Sequence, residues 1–143
     1  MCKTKSCVIS VSLIKGCYRH INIPMKASLE NLSDAILFAF NFDNDHMHAF
    51  FMDNKAWSQA DNYESAGAYL EEGTKYTCEY TLESLGLIKD KRFLYIFDFG
   101  DEWRFNCKVL REAECDSEEI VFLKCVGKAP VQYPSFEDED ERE

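Results

Sequence analysis

The chain has 143 residues, with 26 acidic side chains against 16 basic ones and a net charge of −10. That length suits a single domain whose core needs neither disulfides nor a structural metal. The charge opposes the Lys/Arg neutralisation on which sequence-independent nucleic-acid binding rests, so direct nucleic-acid binding is disfavoured.

No apolar run is long enough to span a bilayer. The opening MCKTKSCVIS lacks the apolar segment and small-residue cleavage site of a signal peptide. The expectation is a cytoplasmic protein with no membrane partner. Glu137–Glu143 adds six acids and one Arg, but the body remains acidic without them. Seven cysteines occur, none in a CxxC pair, which gives no support to a zinc ribbon or a thioredoxin-like motif. They read as reduced, structural thiols.

In chain order, Cys7–Ile14 alternates as a strand. Lys15-Gly16 is a turn, and Cys17–Ile23 returns as the second arm of an antiparallel hairpin that Pro24 ends. Ser28 is the expected N-cap of a helix running to about Phe40, with Leu29, Leu32, Ile36 and Phe40 forming an apolar stripe to lie on a sheet. A polar loop, Asn41–His48, precedes a short strand at Ala49–Met52. Asp53-Asn54 signals a turn, and Lys55–Trp57 is expected as an edge strand. Residues 58–75 read as loop with a helical turn near Ala66–Leu70, and Tyr76–Tyr80 as a strand. Thr81–Gly86 reads as one capped helical turn.

The hairpin Phe93–Leu110 is central. Phe93–Phe97 is apolar throughout, as in a strand buried on both faces. Trp103, Phe105, Cys107 and Val109 alternate with polar neighbours, as in a strand with one buried side. Gly100-Asp101 is expected to make a tight turn entered through a positive φ that only Gly adopts without strain. Glu112–Glu119 reads as a charged connection, Ile120–Val126 as the last strand, and Gly127–Pro130 as its break. Val131–Phe136 is expected to lie against the body, ahead of a mobile tail at 137–143. The fold class is therefore α+β: an antiparallel or mixed sheet carrying one main helix, with a β-grasp-like ββα start, in a single domain over 1–136.

Several segments occur in a recognisable order. They are the early hairpin, the capped helix, Phe42-Asp43-Asn44-Asp45-His46-Met47-His48-Ala49-Phe50, Phe97–Trp103 and Gly127–Pro134. Together they resemble the Orf-three-like family named after an open reading frame of a pRi plasmid. The resemblance covers nearly the whole chain. It implies an α+β domain of prokaryotes and their mobile elements, and no particular reaction. Many proteins of this kind place a His two residues after the tryptophan; here that position is Phe105, which reads as core.

Asp43, Asp45, His46 and His48 combine carboxylate and imidazole, a common ligand set for divalent transition metals, and Asp98 and Asp101 would complete a site if the hairpin turn lies beside the loop. The competing reading is structural, because Asp and Asn after a helix form turns and caps and a His beside a strand bonds backbone. Asp98-Phe99-Gly100 has the letters of the kinase magnesium motif without the glycine loop or catalytic loop of that fold, and is a coincidence. The bland role for this segment is a turn whose Asp side chains accept backbone N–H groups while Trp103 fills the core. The other role is a binding cleft formed by Asp98, Asp101, Trp103 and Tyr133. A Cys–His nucleophile has the residues, with His20, His46 and His48 available, but nothing nearby activates a thiol.

The first functional expectation is a small interaction or binding module linked to plasmid or mobile-element biology. Its acidic surface suits a protein partner, a basic one above all, and no cofactor is expected. The alternative is a metal-assisted hydrolytic enzyme in which Asp43, Asp45, His46, His48, Asp98 and Asp101 surround an ion that activates water.

Overall fold

A strand with large apolar side chains on both faces needs cover on both sides, and this requirement organises the molecule. The computed structural model describes residues 4–116 and 118–133. It has strands β1 (Thr4–Ile14), β2 (Cys17–Pro24), β3 (His48–Phe51), β4 (Asn62–Glu64), β5 (Arg92–Phe97), β6 (Trp103–Cys115) and β7 (Val121–Val126), with one helix, α1 (Leu29–Ala39). The strands form one sheet in the order β4-β3-β5-β6-β1-β2-β7, with every neighbouring pair antiparallel. The class is α+β and the ββα opening is present. The sheet is antiparallel rather than mixed, and its order adds no support to the β-grasp likeness.

Phe93, Tyr95 and Phe97 of β5 face α1 together with Phe105, Cys107 and Val109 of β6 and Ile9 and Val11 of β1. Leu94 and Ile96 point the other way, meeting Ala49 and Phe51 of β3 under Ala56 and Phe99. Full burial of each such ring or aliphatic side chain contributes roughly 1.5–3 kcal/mol, so β5 anchors both layers.

Helix α1 starts on a capping box. Ser28 Oγ accepts from the Asn31 N–H at 3.0 Å, and Asn31 Oδ1 accepts from the Ser28 N–H at 3.1 Å. The helix ends with Asn41 at φ +58, while the Phe42 N–H donates to Leu37 O and the Asn41 N–H to Phe38 O, a Schellman closure. Its last turn carries no basic residue, and that charge comes from Arg19 on β2. The buried guanidinium donates to Ala39 O at 3.0 Å, Tyr18 O at 2.9 Å and Val126 O at 2.8 Å, and lies 4.6 Å from the centre of the Phe40 ring.

Four local expectations are corrected. Lys55–Trp57 is a turn rather than an edge strand, because Trp57 adopts φ +63 and lays its ring against Phe51 and Phe99. The edge strand is instead β4, whose Tyr63 is buried. No helical turn forms at Ala66–Leu70. Tyr76–Tyr80 contains a 3-10 turn, Thr77–Glu79, whose neighbours bond the start of α1 through Leu29 N–H to Tyr80 O. The charged stretch after residue 111 stays in β6 as far as Cys115, paired with Thr4.

The Thr81 cap is as expected, its hydroxyl accepting from the Ser84 N–H at 3.1 Å. Among the described residues six cysteines are free; burial pushes the Cys7 thiol up to about 11 and the Cys107 thiol higher still. Among the described residues no helix is long and apolar enough to cross a membrane. The expected tail, Glu137–Glu143, lies outside the described residues.

Candidate functional site

Three segments meet at the sheet end where β5 turns into β6. The Schellman closure of α1 sends the chain into residues 41–47, where Phe42 is buried edge-on against Trp103 at 5.0 Å and Phe105 at 5.9 Å. Past Phe42 the loop is exposed, presenting Asp45 and His46. The second segment, residues 98–102, joins Phe97 to its cross-strand partner Trp103. The third is Gly127–Tyr133, which returns from β7 across the end of α1.

The turn differs from the expected one. The left-handed positions are Asp98 at φ +63 and Glu102 at φ +55, and Gly100 has no positive φ. Asp tolerates this conformation when its side chain bonds the local backbone. Asp98 Oδ1 accepts from the N–H groups of Gly100 at 3.1 Å and Asp101 at 3.3 Å, and the Asp98 N–H donates to Met47 O at 2.9 Å. The carboxylate thus acts as the strut inside the 98–102 turn, and the backbone N–H of the same residue ties that turn to the 41–47 loop.

Asp98 is only 5% exposed, and its Oδ2 lies 3.5 Å from His46 Nε2. The same nitrogen is 3.8 Å from Asp45 Oδ1. Asp45 in turn accepts from the Tyr133 hydroxyl at 3.0 and 3.1 Å, and from Gln132 Nε2 at 3.4 Å. His46 stands edge-on to Phe97 and Tyr133. Lost hydration pushes the Tyr133 phenol up to about 12, helped by its bond to Asp45 and the charges of Asp45, Asp98 and Asp101. Three carboxylates therefore act on one phenol, which locates Asp101 at the site although it is exposed.

The remaining candidates divide. Asp43 enters through its backbone: its N–H donates to Gln132 Oε1 at 2.6 Å and its carbonyl accepts from Gln132 Nε2 at 3.1 Å. His48 stands apart, 4% exposed on β3, with Nε2 2.8 Å from Thr77 Oγ1. Burial lowers its pKa to about 4. Trp103 supports the site from below, and its buried indole N–H has no partner among the described residues. Phe105, at the position where many similar proteins carry a His, is fully buried. Among the described residues no three His, Cys, Asp or Glu side chains group as an ion requires.

Gln132 is the residue that sequence reading missed. It is 8% exposed and clamps both polar groups of the Asp43 backbone; its one sequence signal is its place beside Tyr133.

The family described as plasmid pRiA4b ORF-3-like protein matches residues 7–132. No curated protein matches the chain. Among solved structures it is similar to a protein of unknown function, MM3350 from Methanosarcina mazei Go1. The identity is 22% and the TM-score 0.63, over 97% of this chain and 78% of that one. That likeness supports the fold alone.

Proposed function

Starting from a chain that belongs to the plasmid pRiA4b ORF-3-like family, we propose a protein-binding module whose acidic surface at Asp45 and Asp101, over buried Asp98, takes a basic segment of a partner. The carrying observation is convergence. The three segments that bear the family motifs and lie far apart in sequence, 41–48, 97–103 and 127–133, meet through side chains of Asp45, His46, Asp98, Gln132 and Tyr133.

The charge of this surface suits a cation. A Lys or Arg reaching the exposed carboxylates of Asp45 and Asp101 gains charge-assisted hydrogen bonds, with the charge of buried Asp98 behind them and His46 turning aside from between Asp45 and Asp98. The net charge of −10 steers basic partners toward the domain and makes their association salt-sensitive. The test is capture from lysate on immobilised full chain, comparing wild type with the Asp45→Asn, Asp98→Asn, Asp101→Asn triple variant. This reading expects a partner with a Lys/Arg-rich segment that wild type retains and the triple variant loses. A partner held equally by both proteins contradicts it.

A second reading, metal-assisted hydrolysis, draws on His46 Nε2 standing between two carboxylates. Asp101 would have to turn inward to supply a further ligand. Elemental mass spectrometry of tag-free protein separates the two readings: near-stoichiometric zinc, manganese or iron supports the enzyme, and a metal-free protein that retains a basic partner supports the module.

A further inference from the structure

The two edges of the sheet are treated differently. At the β4 edge, the Glu64 N–H donates to Lys75 O at 3.0 Å, and Glu64 bridges to Tyr76, so following chain covers that strand. At the other end β7 pairs with β2 alone, and among the described residues no strand lies on its outer side. Yet β7 is the more apolar edge: Val121, Phe122 and Leu123 are 44%, 43% and 48% exposed.

Helix α1 extends this surface. Phe38 is 74% exposed and its ring lies 5.3 Å from that of Phe122. Beside the pair runs a hollow of about 800 Å³ whose lining includes Pro24, Ala27, Ala35 and Ile120. Natural edges are commonly guarded by an outward lysine. The one charged residue of β7, Lys124, has its ammonium 5.7 Å from the centre of the Tyr18 ring of β2, drawn back over the sheet.

We propose that a second copy of this chain occupies the edge, β7 pairing antiparallel with β7 about a two-fold axis. The charge pattern selects this occupant. The strand is preceded by Glu118 and Glu119 and followed, two residues past its last residue Val126, by Lys128. Antiparallel pairing sets the acidic start of each copy against the basic end of the other, whereas parallel pairing sets like charges side by side. A two-fold uses this match twice, because the same patch serves both copies. It also brings the two Phe38–Phe122 pairs to one face of the seam, removing from water the largest apolar side chains that flank the edge. Glu118 meets Lys26 only at 4.0 Å, with both side chains more than 70% exposed, so it can turn toward the seam at little cost.

The test is sedimentation of the full chain across roughly 5 to 200 µM. The expected result is a species of twice the 16.6 kDa chain mass, which Phe122→Lys converts to a monomer with an unchanged circular dichroism spectrum. Leu123→Lys, at a side chain already half exposed, gives the same readout if Phe122→Lys fails to fold. The double swap Glu118→Lys with Lys128→Glu is expected to dimerise as wild type does, while Lys128→Glu alone shifts the dimer toward monomer by several-fold. A wild type that stays monomeric throughout overturns the proposal, and so does a folded Phe122→Lys or Leu123→Lys that remains dimeric.

Discussion

The Tyr133 hydroxyl donates to both carboxylate oxygens of Asp45, at 3.0 and 3.1 Å, across 88 positions of sequence. This contact ties the end of the described chain to the loop after the helix, and, second to the loss of hydration, it helps the phenol hold its proton up to about 12. Ionising the tyrosine would set a phenolate against Asp45 with two further carboxylates nearby. In an ultraviolet titration, the difference between wild type and Tyr133→Phe should show a tyrosine ionising near 12. Asp45→Asn should bring that step down toward the ordinary value of about 10. An unchanged step in Asp45→Asn would detach Tyr133 from the site.

His48 makes stability depend on pH. Its folded pKa of about 4 lies below the ordinary 6.5 because burial disfavours the imidazolium. The unfolded chain therefore binds the proton more readily than the folded one. This contribution is fully present above pH 6.5 and is lost as pH falls toward 4, in total on the order of 3 kcal/mol. Chemical denaturation of wild type across that window should show the loss, and His48→Gln should flatten that part of the profile. Equal slopes in the two proteins would contradict the assignment.

Asp98 has two separable duties. As a strut it accepts from the Gly100 and Asp101 N–H groups in a left-handed backbone at φ +63. Asn can perform both tasks, so Asp98→Asn should keep stability within about 1 kcal/mol, whereas Asp98→Ala should cost about 2 kcal/mol. Thermal melts of the two variants check this. The negative charge is the second duty, and only there should Asn fail.

Gly127 is held by close approach as well as by φ +81. A Cβ on it would lie 2.1 Å from Gly16 O, a backbone atom of the β1–β2 turn. Gly127→Ala should therefore destabilise by on the order of 3 kcal/mol. It should also loosen the segment that carries Gln132 and Tyr133. Gly73, with φ +86 but open space around it, is the control: Gly73→Ala bears the backbone strain alone and should cost less.

Local signals were legible where a residue acts on near neighbours. Ser28 announced the helix start, Thr81 its short turn, and the unbroken run Phe93–Phe97 a strand buried on both faces. Phe105 read as core and is core. What failed depended on distant chain. Tyr76–Tyr80 has the composition of a strand, but Thr77 turns to His48 and Tyr80 O accepts from the helix start at Leu29, so tertiary contacts override its β propensity. Trp57 took a left-handed backbone to cover Phe51 and Phe99, which no local pattern encodes. Arg19 left a clue: it alternates with Cys17, Ile21 and Ile23 on a buried face, opposite a helix end lacking its own base. At the site, Asp45, His46, Asp98, Asp101 and Tyr133 were nameable from residue type and motif position. Their meeting depended on the turn geometry and on Gln132, and His48 left the group because its strand begins at His48, one residue before the expected start at Ala49.

The central claim is that the carboxylates of Asp45, Asp98 and Asp101 form an acidic docking surface for a basic segment. Isothermal titration of the full chain with a short Lys/Arg-rich peptide tests it most directly, repeated on the Asp45→Asn, Asp98→Asn, Asp101→Asn triple variant and at raised salt. The account predicts saturable binding to wild type that weakens as salt rises and falls at least about tenfold in the triple variant, a change of roughly 1.4 kcal/mol. Equal binding by both proteins, or none by a folded wild type at low salt, would contradict it.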